Sequence, residues 1–388
     1  MFLSFLNFLE VISKLNKDKI LIFYDYFSPA YKAGGPIQSI NSLVKALEDN
    51  FEFSIFCSDH DHDGSKLEVQ KDNWVNYSNT TVFYASQQFL KRSNILRLLK
   101  DKAPDTLFIN GIYSWYFNLI PLLFAKKVRK IVSVRGMLHP GALSKKWFKK
   151  KVYLLFWKLF RIHRACEFHA TTAEEKHFIE QVFGKNVKTW VAGNFPKVSD
   201  YQVPIEKQEG SLILISIALI STMKNHLLVL QGLQNSTKKI KYYIYGPVKE
   251  DSYWKECELL IKKMPSNIKV VYKGEIVPDK VTEALGKAHV FILPSKSENF
   301  GHALYEAMTA GKPVITSHFT PWNHLKENNA GVNVSIDNVK EIQAAIDFFA
   351  DADNETLKKW SKAARAFALK SVDIDTIKWQ YLEMFSGD

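Results

Sequence analysis

The chain has 388 residues, 46% of them hydrophobic and 24% charged, with a formal net charge of +12 at pH 7, an ordinary globular composition long enough for two domains with full cores. Its three cysteines, Cys57, Cys166 and Cys257, are far apart with no CxxC pair, which excludes a disulfide framework and a zinc site and makes a reducing cytoplasm the expected compartment. No apolar run approaches the ~20 residues of a membrane span, while the basic excess favours nucleotide phosphates, nucleic acid or an anionic membrane surface as partner.

The N-terminal stretch MFLSFLNFLEVISKLN is apolar but has no basic leader region and contains Glu10, so it reads as an amphipathic helix on the protein or on a membrane rather than as a signal peptide. Lys19 to Tyr24 is the first strand, and Gly34-Gly35-Pro36 then opens a helix with apolar positions at Ile37, Ile40, Leu43, Val44 and Leu47. The two glycines suit either a tight turn or the close approach of a phosphate or sugar. Phe51 to Cys57 is a second strand. The run Asp59-His60-Asp61-His62-Asp63-Gly64 behind it imitates the start of a calcium loop, but Gln70 stands where a bidentate glutamate is needed, so a solvated loop and no metal are expected.

Further strands are predicted at Thr81 to Tyr84, Thr106 to Ile109, Lys130 to Val134 and Glu167 to Thr171, each followed by a helical pattern, which argues a doubly wound sheet. Arg135 to His139 lies at the carboxyl end of one of them and can present its side chains to a ligand. Ser144 to Arg164 interleaves eight basic residues with Trp147, Phe148, Tyr153, Phe156, Trp157 and Phe160. With no nucleic-acid fold signature beside it, that pattern suits a helix on an anionic membrane, with Trp147, Phe148, Trp157 and Phe160 at the headgroup boundary; a buried helix with a basic outer face, using Leu154, Leu155 and Leu159 as core, is the alternative. Val187 to Val191 is the last strand of the first half, and Gly193 to Gly210 is the linker. The pattern then restarts with a strand at Leu212 to Ile217, a helix near Asn225 to Leu233, and strands at Tyr242 to Tyr245 and Ile268 to Tyr272.

Within His289 to Leu325 a strand (Val290 to Leu293), a polar loop (Ser295 to Asn299), a helix from Phe300 and a strand (Val314 to Thr316) follow in immediate succession. Glu298 sits in the loop and Glu306 about two turns into the helix, with the amides of Phe300 and Gly301 as free donors between them. An anion fits the amides and hydroxyls fit the carboxylates, so a phosphorylated polyol such as a nucleotide sugar meets both demands. A helix-capping Glu298 and a solvated Glu306 are the bland alternative.

The string Pro294-Ser295, Glu298, Phe300-Gly301, Glu306-Ala307, Gly311, Pro313-Val314 resembles the glutamate, seven residues, glutamate signature of the retaining glycosyltransferases of family four, and the likeness extends loosely over Ile20 to Thr172. The resemblance implies the α/β GT-B fold: two Rossmann-like domains facing each other across a cleft, with a C-terminal helix packing back on the first. Residues 1–199 would then form the acceptor-binding domain, 200–367 the nucleotide-sugar domain, and 368–388, with a helix at Asp373 to Phe385, the return crossing.

By the same resemblance Glu298 contacts the transferred sugar, Glu306 holds the ribose hydroxyls, and Asn299, Phe300 and Gly301 serve the donor. Gly34 and Gly35 match the glycine loop of the first domain, Gly246 ends a strand beside the donor, and Ile276 lies in the loop against the base. Relatives place an Arg and a Lys opposite the leaving diphosphate; Lys224 is present here, and Leu219 occupies the Arg position. Where relatives have a histidine touching the sugar this chain has Arg135, with His139 following. The expected activity is sugar transfer with retention from a nucleotide sugar to a glycan or lipid-linked acceptor, in cell-surface polysaccharide or lipid-linked glycan assembly, with no metal or other cofactor. The expected location is peripheral, on the inner face of the cytoplasmic membrane, with no nucleic-acid partner. A sugar-nucleotide epimerase, or a membrane-bound scaffold with a decayed donor site, remains the alternative; a dehydrogenase does not, since no G-x-G-x-x-G follows either first strand.

Overall fold

The computed structural model describes residues 17–32, 34–144 and 147–387; the N-terminal apolar stretch and Lys145-Lys146 lie outside them. The chain divides into two compact units. One holds the described residues up to Phe195 together with those from Ile374 onward, and the other runs from Pro196 to Asp373. The division therefore falls at 195/196 rather than 199/200, and the returning segment starts at Ile374 rather than 368.

The first unit runs β1 (Lys19–Phe23), α1 (Gly35–Leu47), β2 (Glu52–Ser58), β3 (Trp74–Tyr77), β4 (Thr80–Ala85), α2 (Arg92–Lys102) and β5 (Thr106–Asn110). A π-helical turn at Trp115–Leu119 leads into α3 (Ile120–Phe124), followed by β6 (Arg129–Ser133), α4 (Pro140–Ser144), α5 (Trp147–Leu159), β7 (Glu167–Ala170), α6 (Ala173–Phe183) and β8 (Thr189–Val191). The sheet order is β3-β4-β2-β1-β5-β6-β7-β8, parallel except for the β3 edge. Leu21, Phe23, Leu107, Ile109 and Val132 are fully buried beneath the flanking helices, as central parallel strands require. The strand order reverses between β1 and β5, so the loops after these two strands meet at the point where open α/β sheets take ligands.

The second unit runs β9 (Ser211–Ile217), α7 (His226–Gln234), β10 (Lys239–Tyr245), α8 (Asp251–Ile261), β11 (Ile268–Tyr272), α9 (Val281–Gly286), β12 (Val290–Leu293), α10 (His302–Thr309), β13 (Val314–Ser317), β14 (Gly331–Val334), α11 (Val339–Asp351) and α12 (Asn354–Ser371). Its six strands are all parallel in the order β11-β10-β9-β12-β13-β14, with the reversal between β9 and β12. The last helix, α13 (Ile374–Ser386), belongs to the first unit. Phe385 packs 5.3 Å from Phe51 and 5.5 Å from Phe108, Tyr381 stacks on Phe195, and the Arg129 guanidinium donates to the Phe385 carbonyl at 2.8 Å. Burying Tyr381, Met384 and Phe385 contributes roughly 1.5–3 kcal/mol each relative to exposure, enough to fix the return of the chain.

The acidic run 59–64 is not the solvated loop its composition predicts. Asp59 and Asp61 are buried, the Asp61 carboxylate accepts the amides of Tyr31 and Lys32, and Asp63 pairs with Lys32 at 2.8 Å. A desolvated carboxylate needs donors, and for Asp61 the loop after β1 supplies them.

Candidate active site

In the second unit Lys224 follows β9 and Glu298 follows β12, the two adjacent strands at the reversal of strand order. The Lys224 ammonium lies 2.5 Å from Glu298 Oε1, and the Ser295 hydroxyl donates to the same oxygen at 2.7 Å. Both charged side chains are mostly shielded, at 21% and 12% exposure, so their attraction is stronger than that of a surface pair. The loop that carries Glu298 is held at both ends: Lys296 donates its amide to the Met223 carbonyl and Glu298 donates its own to Phe319.

Phe300 and Gly301 precede α10. Gly301 caps it at φ +76°, where an added Cβ would crowd Leu304 at 3.1 Å and Trp322 at 3.2 Å, so a larger residue is strained there. The helix therefore begins at His302, not at Phe300. The Trp322 indole donates to the Phe300 carbonyl at 2.7 Å and its ring packs edge-on against Phe300, while the Phe300 and Gly301 amides have no acceptor among the described residues. Asn299 is exposed on the same loop.

Glu306 is not solvated. Its Oε1 lies 2.9 Å from the Lys197 ammonium and 3.4 Å from the Ser199 hydroxyl, and Lys197 also reaches the Pro278 carbonyl. Both partners come from the segment read as a linker. Gly246, at φ +135°, packs so closely over Ala218 that an added Cβ would fall 1.9 Å from its carbonyl oxygen. This closes the carboxyl ends of β9 and β10 around Leu219, which is half-buried and brings no cation. Ile276 packs on the apolar cluster beneath α10.

The first unit places its candidates differently. Gly34 caps α1 and Gly35 is its first residue, its carbonyl accepting from Ser39 at 3.1 Å. Arg135 turns inward: its Nε donates to Asn110 at 3.0 Å and a terminal nitrogen donates to Asn194 at 2.7 Å, with Ser39 donating to the same Asn194 oxygen. Its other terminal nitrogen is buried without a partner among the described residues. His139 is exposed; its Nδ1 accepts the Gly141 amide at 3.0 Å and its ring meets Phe178 edge-on. Arg135 thus belongs to an internal polar network, while His139 accepts an amide in the first turn of α4. Asp25, at the carboxyl end of β1, is a residue the sequence reading missed. Burial pushes its pKa up, a hydrogen bond from Ser114 opposes the shift, and the pair spans the β1/β5 reversal.

Helix α5 buries only part of its apolar residues. Leu154 and Trp157 are core, so Trp157 is not the boundary ring expected of it. Phe148, Val152, Leu155 and Leu159 recur every three or four residues and are 53–74% exposed, and Trp147 and Phe160 are exposed beside them.

Residues 199–367 match the family model described as Glycosyl transferases group 1. That match spans almost all of the second unit. A 72-residue segment is 36% identical to the sulfoquinovosyl transferase SQD2 of Arabidopsis thaliana, covering 19% of this chain and 12% of that protein's length. Over the whole fold the chain is similar to sucrose-phosphate synthase (tll1590) from Thermosynechococcus elongatus, with a TM-score of 0.72, 14% identity and coverage of 96% of this chain and all of that one (100%). It is also similar to Anabaena Alr3699/HepE, solved in complex with UDP and glucose, with a TM-score of 0.69, 15% identity and coverage of 96% and 100%. At these identities the likeness establishes the fold, which is GT-B.

Proposed function

We propose that the chain is a retaining glycosyltransferase that takes a nucleotide sugar on its second unit and passes the sugar to an acceptor hydroxyl recognised by its first. The observation that carries this reading is that both signature glutamates pair with lysines: Glu298 with Lys224 at the strand-order reversal, and Glu306 with Lys197. Each carboxylate is aimed by its partner, Glu306 toward the ribose hydroxyls and Glu298 toward the transferred sugar. As the bond from the anomeric carbon to the diphosphate breaks, a new bond forms to the acceptor oxygen on the same face, and the acceptor proton passes to the departing phosphate oxygen. Lys224 and the Phe300 and Gly301 amides stabilise the charge that grows on that phosphate, and no metal is assigned to the task.

The α5 stripe supports a peripheral position on an anionic bilayer, the inner face of the cytoplasmic membrane. Four exposed apolar side chains in line are flanked by Lys149, Lys151, Lys158 and Arg161, the charge such a surface attracts. Among the described residues no helix is long and apolar enough to cross a membrane. A lipid-linked glycan acceptor in surface-polysaccharide assembly fits that position.

The test begins with a thermal-shift screen of nucleotide sugars, uridine diphosphates first. Ligand at 100 times its dissociation constant stabilises by about 2.7 kcal/mol. The hit is then incubated with and without glycan acceptors and the product anomer is read by NMR. Inversion of a sugar centre without acceptor would make the protein an epimerase, and silence of every nucleotide sugar would make it a scaffold.

A further inference from the structure

A groove of about 670 Å³ opens in the first unit at the amino ends of β6, β7 and β8, the opposite edge of the sheet from the loops described above. Arg129 and Lys130 begin β6, Glu167 begins β7, Lys188 precedes β8, and His163 and Arg164 line the groove from the turn after α5. Four of these six side chains are cations and one is a carboxylate.

That carboxylate is already engaged. Arg129 grips Glu167 through two bonds of 2.9 and 2.7 Å, the Trp190 indole donates to it, and Lys188 lies 3.6 Å away. Burial pushes the Glu167 carboxyl up, but these donors outweigh it and hold the carboxyl below its ordinary range. Lys130 and Arg164 are left with no carboxylate partner among the described residues. Lys130 is half-buried, and burial lowers its pKa, the mark of a desolvated cation with no counter-charge. The His163 ring is held by Trp157, whose carbonyl lies 3.2 Å from Nδ1, and by stacking on Phe183. Two unpaired cations and an oriented imidazole around a roomy polar groove form a receptor for a small polyanion.

The surroundings narrow the class. His163 and Arg164 follow directly on the end of α5, where Leu159 is 74% and Phe160 61% exposed. We infer that the groove binds a phosphomonoester, and that its occupant is the headgroup of an anionic lipid in the surface that α5 enters. The phosphate chemistry stands on the groove alone, whereas the lipid source rests on the docking reading of α5.

Inorganic phosphate should raise the melting temperature of the protein above that in chloride of equal ionic strength. Lys130→Met with Arg164→Met should weaken phosphate binding at least about tenfold, while the shift given by the donor nucleotide, the control for folding, stays unchanged. Equal phosphate shifts in wild type and variant would overturn the site. Vesicles of phosphatidylcholine carrying phosphatidate or phosphatidylglycerol at matched surface potential then identify the source. A preference for phosphatidate that the double variant abolishes, with residual binding to both lipids retained, supports the headgroup. A phosphate shift without that preference assigns the groove to a soluble phosphate ester and overturns the lipid source. If wild type binds no vesicle but phosphate still protects it, the docking reading has failed and the phosphate site has not.

Discussion

Replacing Lys224 with methionine separates a structural role from a chemical one. The Lys224–Glu298 pair, at 2.5 Å with exposures of 21% and 12%, lies between a surface ion pair, worth ~0.2–1 kcal/mol, and a buried one, whose rupture costs ~3–5 kcal/mol. Glu298 keeps the Ser295 hydroxyl at 2.7 Å, which offsets part of the loss, so the stability change should be about 1–2 kcal/mol. If the ammonium also meets the charge growing on the departing phosphate, the rate should fall about 10²–10³-fold, since a preorganised donor in such a position contributes ~3–4 kcal/mol to the transition state. Leu219 makes the larger figure the expected one, because no second cation stands at its position. The assay is the initial rate of sugar transfer at saturating donor, with calorimetric donor affinity and a urea titration on the same samples. A cycle with Glu298→Gln completes it: a lysine that only holds Glu298 leaves the double variant no slower than Glu298→Gln alone. A Lys224→Met rate within threefold of wild type, beside the expected stability loss, would refute the chemical role.

Glu306→Gln turns a charge-assisted bond to a ribose hydroxyl into a neutral one and should weaken donor binding by on the order of 1–3 kcal/mol in calorimetry. Lys197→Met should weaken it less, because Ser199 still reaches the carboxylate. A chelator should leave the transfer rate unchanged, as Lys224 and the loop amides carry the charge stabilisation. His169 and His226 are pulled down to about 3 and His289 to about 4, by burial first and then by Arg135, Lys224 and Lys207 respectively. Their folded pKa values lie below the unfolded ~6.5, so the unfolded chain binds the extra protons and stability drains away as pH falls from 6.5 toward 3, about 2 kcal/mol per histidine by pH 5; urea midpoints at pH 7.5 and 5 measure it. Lys312 is fully buried with no partner for its ammonium among the described residues, and burial pulls it down to about 8. Stability should therefore rise with pH between about 8 and 10.5, and Lys312→Met should raise it at pH 7 by about 3 kcal/mol at most and flatten that rise.

What the sequence disclosed and what it hid divide along a physical line. The unit from Val290 to Ser317 was legible because its strand, loop, helix and second strand are contiguous, so periodicity and the Gly-Lys-Pro stop carry its whole geometry. The alternation of strands and helices likewise disclosed the doubly wound sheets. The edge strand β3 escaped because Trp74–Tyr77 pairs antiparallel on one side only and shows no buried run. Trp157 was assigned to a membrane boundary because of the basic residues around it; a helix of this composition exposes one apolar stripe and buries a ring on its other face, and only packing tells them apart. The partners of Glu306 were hidden for a stronger reason. Lys197 and Ser199 stand more than a hundred residues before it, in a stretch whose prolines and charges read as a linker. Strand order brings chain segments together without leaving a local pattern, and a carboxylate's role depends on which segment arrives. The local string therefore singles out both glutamates, while the lysine that pairs with each lies outside it.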